Sequence, residues 1–395
     1  MHLSVRLPQV RPDQIPVPTH CPLKRKNGHA CTGTHFKLHQ VVCRKPLRDT
    51  HYPVVGCHRY RCLKCQRAFR VYPGGVSHLH QSATLQALSV LLYILGLSYQ
   101  AVSDLLESLG QPLAKATVYN NVQAAGRRAQ ALRRNWLGTQ GGAVSVLGLD
   151  LTHVKCNRQD TILAVATAVL TGQPLTFEIL PAETSLQVET WIRDLARTLG
   201  AEVLVTDDAD GLKTVADHLG LKHQICRAHV NRNVHDLIAQ LGTRALEHPD
   251  PVPWELAGVS VDQFREDLDT VEWVIKSLPA DGQAQLLALA ARYQGAPPPT
   301  QGHRATMWYR LRRLTLDWSE NWVRLSLFQQ WRGAYHEKLD GTNNGTEQVI
   351  GQCAKERYRT MRGYKRQESI LNVTSLIGWV RANGPDYDMT ELVPS

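Results

Sequence analysis

The 395-residue sequence has no run of about 18 uncharged apolar residues, which excludes a membrane-spanning helix of ordinary length. The apolar stretch from Leu85 to Leu97 is too short for that purpose and indicates a buried helix. The first residues lack the basic-then-apolar order of a signal peptide, so we expect a cytoplasmic protein with reduced cysteines. Internal repeats and low-complexity segments are also missing, which favours ordinary globular domains.

Acidic residues are scarce in the first part of the chain. Residues 1–140 contain 4 Asp and Glu against 19 Lys and Arg, whereas the remainder contains 31 against 26. The first 140 residues therefore carry a net charge of +15 and the remainder −5, which together give the +10 of the chain. Such a charge asymmetry is typical of an N-terminal DNA-binding domain followed by a separate catalytic domain.

Cysteine is concentrated in the same region. Six of the nine cysteines lie within residues 20–72, and Cys62 and Cys65 form a C-x₂-C knuckle of the kind that binds Zn²⁺. We assign Cys21 and Cys31 as the second pair, although the loop between them is long. The side chains that could replace them are Cys43, Cys57, His29 and His58. Large apolar residues are few here, which favours a domain built around zinc.

A helix-turn-helix follows the cysteine-rich region. An amphipathic helix ends at Gly110, residues 111–116 form a turn, and Thr117–Arg128 restarts a helix. The second helix is expected to present a polar face to the major groove, where Asn and Gln read adenine and Arg reads guanine or holds phosphate. The proposed DNA-contacting residues are Asn120, Asn121, Gln123, Arg127 and Arg128.

From residue 143 the pattern changes to strands. Three strands, the first ending at Asp150, precede a helix over 186–199, a strand ending at Asp207, a helix over 212–219 and a strand over 222–226. This order is that of a ribonuclease H-like core, with an antiparallel meander followed by parallel strands. Residues 230–335 are expected to be helical apart from breaks at 249–253 and 295–299. Their tryptophans are expected to pack in the core, and these are Trp308, Trp318, Trp322 and Trp331.

Three acidic residues stand where a catalytic metal site would need them. Asp150 and Asp207 each end an apolar run and would lie side by side on neighbouring strands. Glu347 lies far downstream, on a helix expected to begin near Thr346. Carboxylates this close repel one another unless a cation offsets them. Two Mg²⁺ or Mn²⁺ ions about 4 Å apart would drive attack on a phosphodiester.

Alternatives to Asp207 stand beside it in the sequence. Asp208 and Asp210 are also acidic, but side chains alternate along a strand, so Asp208 would face elsewhere. For Glu347, either Asn343 or Asn344 can cap the helix.

Basic residues follow Glu347 on the same predicted helix. If that helix is unbroken, Lys355, Arg359 and Arg362 fall on one flank of the Glu347 face. We therefore expect them to hold the phosphate backbone of DNA.

A C-x₂-H pair, Cys226 and His229, follows the last predicted strand. It could be half of a zinc site, but no second pair lies nearby. We expect a structural role or a DNA contact near the active site.

These motifs together resemble bacterial insertion-sequence transposases of the DDE class, in the broad Mutator-like group. The resemblance rests on Asp150, on Val205–Leu212 (VTDDADGL), on Cys226 and His229, and on Thr342–Glu347 (TNNGTE). It spans roughly residues 20–380 and implies a ribonuclease H-like catalytic core with a helical insertion before the glutamate. The chain departs from the family in its long Cys21–Cys31 spacing and in Asp208, where glycine often stands.

The expected fold is multidomain α/β: a ribonuclease H-like mixed sheet flanked by helices, preceded by a zinc-binding domain and a helix-turn-helix domain. The expected segments are an N-terminal arm (1–19), a zinc-binding ribbon (20–75), the helix-turn-helix domain (78–137), the first part of the core (143–235), an all-helical insertion (236–335) and the last part of the core (336–382).

The expected function is that of a DNA transposase. It would bind terminal inverted repeats, cleave them with two Mg²⁺ or Mn²⁺ ions, and join the 3′-hydroxyls to target DNA. At least two copies would meet in the synaptic complex. The alternatives are a structure-specific nuclease and a DNA-binding regulator derived from an inactive transposase.

Overall fold

The computed structural model describes residues 4–24, 28–139, 144–247, 259–296, 298–299, 305–333, 336–361 and 363–393. The strands are β1 (Val5–Arg6), β2 (Phe36–Pro46), β3 (Val54–Cys62), β4 (Ala68–Val71), β5 (Val146–Cys156), β6 (Gln159–Ala168), β7 (Gln173–Leu180), β8 (Val203–Thr206), β9 (Lys222–Ile225) and β10 (Tyr387–Asp388).

The helices follow the same chain order. They are α1 (Ala83–Ile94), α2 (Tyr99–Ser108), α3 (Lys115–Thr139), α4 (Ser185–Leu199), α5 (Asp210–Leu219), α6 (Arg227–Glu247), α7 (Val261–Ser277), α8 (Gly282–Arg292), α9 (Met307–Glu320), α10 (Trp322–Gln330), α11 (Asn344–Val349), α12 (Glu356–Met361) and α13 (Gln367–Ala382). A π-helical segment, Ile350–Lys355, separates α11 from α12. Within the described residues, no helix is long and apolar enough to cross a membrane.

The chain divides into two compact units. The first comprises Met1–Trp136, Val154–Asp160 and Gly351–Ser395, and the second comprises Leu137–His153 and Thr161–Ile350. The six segment boundaries expected from the sequence stay predictions.

The first unit begins with two small sheets. Strands β2, β3 and β4 form an antiparallel sheet beside the cysteines. The segment expected to be an extended arm is tied down, because β1 pairs in parallel with β10 and the Thr84 hydroxyl donates to the Pro8 carbonyl at 2.7 Å. Val10 is buried.

Helices α3 and α13 of the first unit pack unusually close together. Gly126 on α3 faces the Asn372 carbonyl, and a side chain at Gly126 would overlap it. Polar groups bridge the two helices: Gln130 Nε2 donates to Asn372 Oδ1 at 2.7 Å, and Asn372 Nδ2 donates to Gln123 Oε1 at 2.8 Å. The contact joins residues nearly 250 positions apart, so nothing local in the sequence signals it.

The second unit is built on a five-stranded sheet with the order β7-β6-β5-β8-β9. Strands β6 and β7 are antiparallel, whereas β8 is parallel to both β5 and β9. Helix α4 contacts β7, and α5 contacts β9. The expected order of strands and helices is confirmed, and the result is a mixed sheet flanked by helices, consistent with a ribonuclease H-like core.

The helical part of the second unit has its own apolar core. Helices α6 to α10 bury Phe264, Tyr293 and Trp308 among aliphatic side chains. Trp318 and Trp322 pack in the same cluster, and Trp331 packs against the sheet residues Val146 and Val203. The expected core role of these tryptophans is confirmed. The break expected at 249–253 lies outside the described residues.

Candidate functional site

The parallel pairing of β5 with β8 sets two aspartates at corresponding positions of neighbouring chain segments. Gly148 lies opposite Val205, and Asp150 and Asp207 each come two residues later. Asp207 lies one residue past the end of β8, so this register brings it and Asp150 to the same end of the neighbouring strands. The prediction that the first strand ends at Asp150 is wrong, because β5 continues to Cys156. Asp207 does follow β8 directly.

The neighbouring aspartates are engaged by a lysine. Lys213 Nζ lies 2.8 Å from Asp208 Oδ1 and 3.0 Å from Asp210 Oδ1. Asp207 instead accepts the Ala209 N–H at 3.2 Å, a short turn that orients its carboxylate. Among the three aspartates, Asp207 is therefore the one that Lys213 does not neutralise in this geometry.

The helix that carries Glu347 is positioned by Asn343. This residue is almost fully buried, and its Nδ2 donates to the Leu149 carbonyl at 3.0 Å, next to Asp150. Its Oδ1 accepts from the Thr346 hydroxyl at 2.6 Å, next to Glu347. Asn343 stands at the N-cap of α11, which begins at Asn344, but its side chain makes no capping bond to the helix backbone. One amide thus ties the strand of Asp150 to the helix of Glu347.

Gly148 makes this tie sterically feasible. The Thr346 hydroxyl lies 2.6 Å from that of Thr167 on β6, so Thr346 bridges Asn343 and Thr167 directly over the glycine. A Cβ at Gly148 would lie 2.6 Å from Asn343 Oδ1, 2.7 Å from Thr167 Oγ1 and closer still to Thr346. The absence of a side chain at Gly148 is therefore a requirement of the docking.

The carboxylates of the site influence one another electrostatically. The pKa of Asp150 is raised to about 6, first by burial and then by the negative charges of Asp207 and Glu347. Hydrogen bonding from the Leu151 N–H and the charge of His229 oppose this shift. A half-buried carboxyl group that resists ionisation in this way gains most from a bound cation.

The three carboxylates fit magnesium by donor type, since Mg²⁺ prefers oxygen ligands. Glu347 Oε1 is buried and has no hydrogen-bond partner among the residues that the structure describes. Within those residues, the donor atoms of the three carboxylates do not all lie within 4.8 Å of one another. Two ions about 4 Å apart do not require that, because each carboxylate can serve one ion or bridge both.

Cys226, His229 and Glu347 do meet that distance, because each offers a donor atom within 4.8 Å of the other two. Cys226 is buried, and burial by itself raises the pKa of its thiol. Hydrogen bonds from the His229 side chain and from backbone N–H groups outweigh this effect, so the pKa is lowered overall. The Asn343 N–H donates to Cys226 Sγ at 3.2 Å. The pKa of His229 is raised, chiefly by its contact with Cys226. The sequence pattern located the pair but not its proximity to Glu347.

A chain of hydrogen bonds that no sequence pattern predicted supports the end of β8. Thr206 donates to the Asp207 carbonyl at 2.7 Å and lies 2.9 Å from His223 Nε2. Arg324 donates to His223 Nδ1 at 3.1 Å and holds both Asp217 oxygens at 2.9 and 3.0 Å. Because the Thr206 hydroxyl donates its proton to the Asp207 carbonyl, it accepts from His223, and the proton of the neutral imidazole is therefore on Nε2.

The four cysteines assigned to zinc converge in the first unit. The Sγ atoms of Cys21 and Cys65 lie 3.8 Å apart, and those of Cys31 and Cys62 lie 3.9 Å apart. Two sulfurs bound to one tetrahedral Zn²⁺ at about 2.3 Å lie about 3.8 Å apart, so the spacing fits that ion. Gly33 leaves room for the cluster, because a Cβ there would overlap Cys62 Sγ.

Within the cluster, the Cys62 thiol is the one whose pKa is lowered, whereas burial raises the pKa of Cys21. Burial raises the pKa of Cys62, but the N–H groups of Cys65 and Lys64 outweigh it and lower the pKa overall. Gln66 adopts a positive φ of 59°, which closes the turn. Of the alternative ligands, Cys57 lies on β3, and neither it nor the described histidines belong to the group. The side chain of Cys43 lies outside the described residues.

The residues predicted to read DNA from a helix-turn-helix divide into exposed and buried sets. The prediction that Asn121 and Gln123 lie on an exposed face is wrong, because both are buried. Asn121 exchanges hydrogen bonds with Gln81, and Gln123 accepts from Asn372 on α13. The polar side of α3 is thus partly used for packing within the first unit.

The exposed members of that set are Asn120, Arg127 and Arg128. Arg127 forms an exposed ion pair with Glu368 at 3.3 Å, and Arg128 Nε donates to the Glu391 carbonyl at 3.1 Å.

The basic residues after Glu347 do not share one regular helix with it. The π-helical segment from Ile350 to Lys355 interrupts the α-helical hydrogen bonding, so the assumed angle of about 100° per residue does not hold across it. Lys355 and Arg359 are exposed, whereas Arg362 lies outside the described residues. Their placement on one flank of the Glu347 face is therefore not supported.

Comparison with known proteins gives little beyond this geometry. No protein-family model and no curated protein matches the chain. One similar solved structure is the HTLV-2 integrase catalytic core domain in complex with magnesium, in a dimeric form, with 18% identity over 35% of this chain and 91% of that one and a TM-score of 0.19. Another is the catalytic core domain of BIV integrase, with 16% identity over 50% and 91% and a TM-score of 0.18. TM-scores this low carry no argument about the fold, so the fold assignment rests on the strand order β7-β6-β5-β8-β9 alone.

Proposed function

We propose that this protein is a DDE-class DNA transposase of an insertion sequence. The observation that carries the proposal is the placement of three carboxylates from separate parts of the chain around the adjoining ends of β5, β8 and α11. Two of them follow matched positions on parallel strands, and the third is tied to the same strand through Asn343. Structural carboxylates do not need such an arrangement, whereas a metal site does.

Asp150, Asp207 and Glu347 would hold two Mg²⁺ or Mn²⁺ ions. When bound, such ions activate a water or a 3′-hydroxyl and stabilise the leaving oxygen of the phosphodiester. The protein's own part is to hold the three carboxylates in place, while the bound cations would favour their ionised form. Asn343 fixes the Glu347 helix, and the Thr206–His223–Arg324 chain fixes the end of β8 beside Asp207.

DNA would be held by basic and polar groups outside this site. The basic excess of residues 1–140 supports electrostatic binding of the duplex. Asn120 is the exposed member of the predicted reading face, and Arg127 and Arg128 would exchange exposed partners within the chain for phosphate. Lys355 and Arg359 are further proposed phosphate contacts. Asn121 and Gln123 are not retained.

The remaining parts of the proposal concern partners and location. The Cys21, Cys31, Cys62 and Cys65 group would hold a structural Zn²⁺ in the end-binding part of the protein. The substrates would be terminal inverted repeats and target DNA, joined by at least two copies of the chain in the cytoplasm.

The test uses the DNA that flanks the gene. Purified protein is incubated with that DNA and Mg²⁺ or Mn²⁺, and the 3′ ends are mapped. Asp150→Asn serves as the inactive variant, and Asp208→Asn as the matched control because Asp208 pairs with Lys213. We expect discrete breaks at inverted repeats with wild type and Asp208→Asn, and none with Asp150→Asn, which should still bind the ends.

Other outcomes would redirect the proposal. Scattered nicks without end preference would favour a structure-specific nuclease. Specific binding without cleavage by any variant would favour a regulator derived from an inactive transposase. Cleavage retained in Asp150→Asn would remove that residue from the site.

A further inference from the structure

Three donor atoms of different chemistry converge beside the carboxylate site. They belong to the Cys226 thiol, the His229 imidazole and the Glu347 carboxylate, and one donor atom of each lies within 4.8 Å of the others. Cys226 immediately precedes α6, His229 lies in the first turn of that helix, and Glu347 lies on α11. The group is therefore assembled from two parts of the chain more than a hundred residues apart.

The spacing fits a shared ion better than a hydrogen bond. His229 Nδ1 lies 3.5 Å from Glu347 Oε1, which is long for a charge-assisted hydrogen bond of about 2.7–2.9 Å. Two ligand atoms about 2.1 Å from one tetrahedral ion lie about 3.4 Å apart. Both atoms are buried, and Glu347 Oε1 has no hydrogen-bond partner among the described residues, whereas His229 also interacts with the Cys226 thiol.

The donor types identify the class of ion. A thiolate, an imidazole and a carboxylate form a mixed sulfur, nitrogen and oxygen set, which suits Zn²⁺ and other borderline-soft divalent ions. Magnesium takes oxygen ligands and would not use Cys226. Three protein ligands leave a fourth tetrahedral position for water, as in zinc sites that are open rather than structural.

The surroundings hold the cysteine in place for such a role. Cys226 is fully buried, and its Sγ accepts the Asn343 N–H at 3.2 Å. The Cys226 N–H in turn donates to the Thr206 carbonyl at 2.7 Å, which anchors the start of α6 to β8. The thiol and the Glu347 helix are thus fixed by the same residue, Asn343.

We propose that Cys226, His229 and Glu347 form a second zinc-class site, separate from the four-cysteine cluster. An ion bound there would take Glu347 Oε1, so zinc and magnesium would compete for that carboxylate. This consequence rests on the proposed function, whereas zinc binding itself does not.

The test is a zinc titration of tag-free protein, without DNA or magnesium, against a chromophoric zinc chelator. Wild type should bind two Zn²⁺ per chain, one tightly at the four cysteines and one more weakly. Cys226→Ser, His229→Gln and Glu347→Gln should each weaken the affinity for the second zinc roughly tenfold or more. The affinity for the zinc at the four cysteines should stay unchanged. Cys156→Ser, a buried cysteine outside both groups, should change neither class.

Cobalt provides an independent readout of the same site. Co²⁺ bound at the second site should add a thiolate-to-metal charge-transfer band that Cys226→Ser removes. The proposal would be overturned if every zinc that the wild-type chain binds were retained, at unchanged affinity, in all three ligand variants. Since the titration involves no DNA, its failure would not bear on the proposed transposase activity, and a failed cleavage assay would not bear on zinc binding.

Discussion

Gly148 has no side chain, and the structure leaves no space for one. The Asn343, Thr167 and Thr346 side chains meet over it and dock the Glu347 helix onto β5. The residue that appears least informative in the sequence therefore sets the position of a proposed metal ligand.

Gly148→Ala should force the Asn343–Thr346 bridge apart. We expect a loss of about 1–3 kcal/mol in the free energy of unfolding and a fall in DNA cleavage at unchanged end binding. Gly211→Ala is the matched control, because a Cβ there meets nothing and alanine favours the helix. Urea unfolding and cleavage rates of both variants check this prediction, and equal behaviour of the two would contradict it.

His223 gives the fold a defined response to acid. Burial lowers its pKa to about 3, with smaller contributions from the positive charges of Arg324 and Lys213, and Asp217 opposes the shift. In the unfolded chain the pKa is about 6.5, so between these values the unfolded state binds a proton that the folded state does not. The stability from neutral His223 is complete above about pH 6.5 and is lost as the pH falls toward 3.

This response can be measured by urea unfolding between pH 7 and pH 4. His223 should contribute a slope of up to about 1.4 kcal/mol per pH unit to the free energy of unfolding below its unfolded pKa. His223→Gln removes the titrating group, so its profile should be shallower than that of wild type over this range. Parallel profiles would show that His223 is not kept neutral in the fold.

At the scale of elements, α3 and α13 depend on each other. Gly126 permits their close approach, and Asn372 satisfies the buried polar groups of Gln123 and Gln130. The polar residues of α3 therefore have two different uses. Some face solvent, as Asn120 does, and others bind a helix at the far end of the chain.

Gly126→Ala should separate these two helices. A Cβ there would overlap the Asn372 carbonyl backbone, so we expect a loss of about 1–3 kcal/mol in the free energy of unfolding. Gly138→Ala, on the same helix with open space around it, should be neutral or stabilising by up to about 1 kcal/mol. Thermal unfolding of the pair provides the measurement, and similar midpoints would contradict the packing.

Elements were predictable from the sequence where their signal is local. The strands before Asp207, the amphipathic helix before Gly200 and the C-x₂-C knuckle each have a pattern within a few residues. The burial of Gln123 and Asn121 has none, because their partners come from distant segments. The π-helical segment after Val349 also escaped prediction, since residue periodicity assumes a regular α-helix.

At the scale of the whole molecule, the candidate site joins residues that the sequence separates by nearly two hundred positions. The sequence supplied Asp150, Asp207 and Glu347 through strand-end patterns and family-like motifs. It did not supply Asn343 as the tie between them, or the placement of Cys226 and His229 beside Glu347, because those depend on side-chain packing.

The central claim is that Asp150, Asp207 and Glu347 bind divalent metal ions as one set. Mn²⁺ binding, followed by electron paramagnetic resonance in the presence of an inverted-repeat DNA end, tests it most directly. We predict two bound ions per wild-type chain, fewer in Asp150→Asn, Asp207→Asn and Glu347→Gln, and two again in Asp208→Asn, whose carboxylate pairs with Lys213. Unchanged binding in any of the three trio variants, or a loss in Asp208→Asn equal to theirs, would contradict the account.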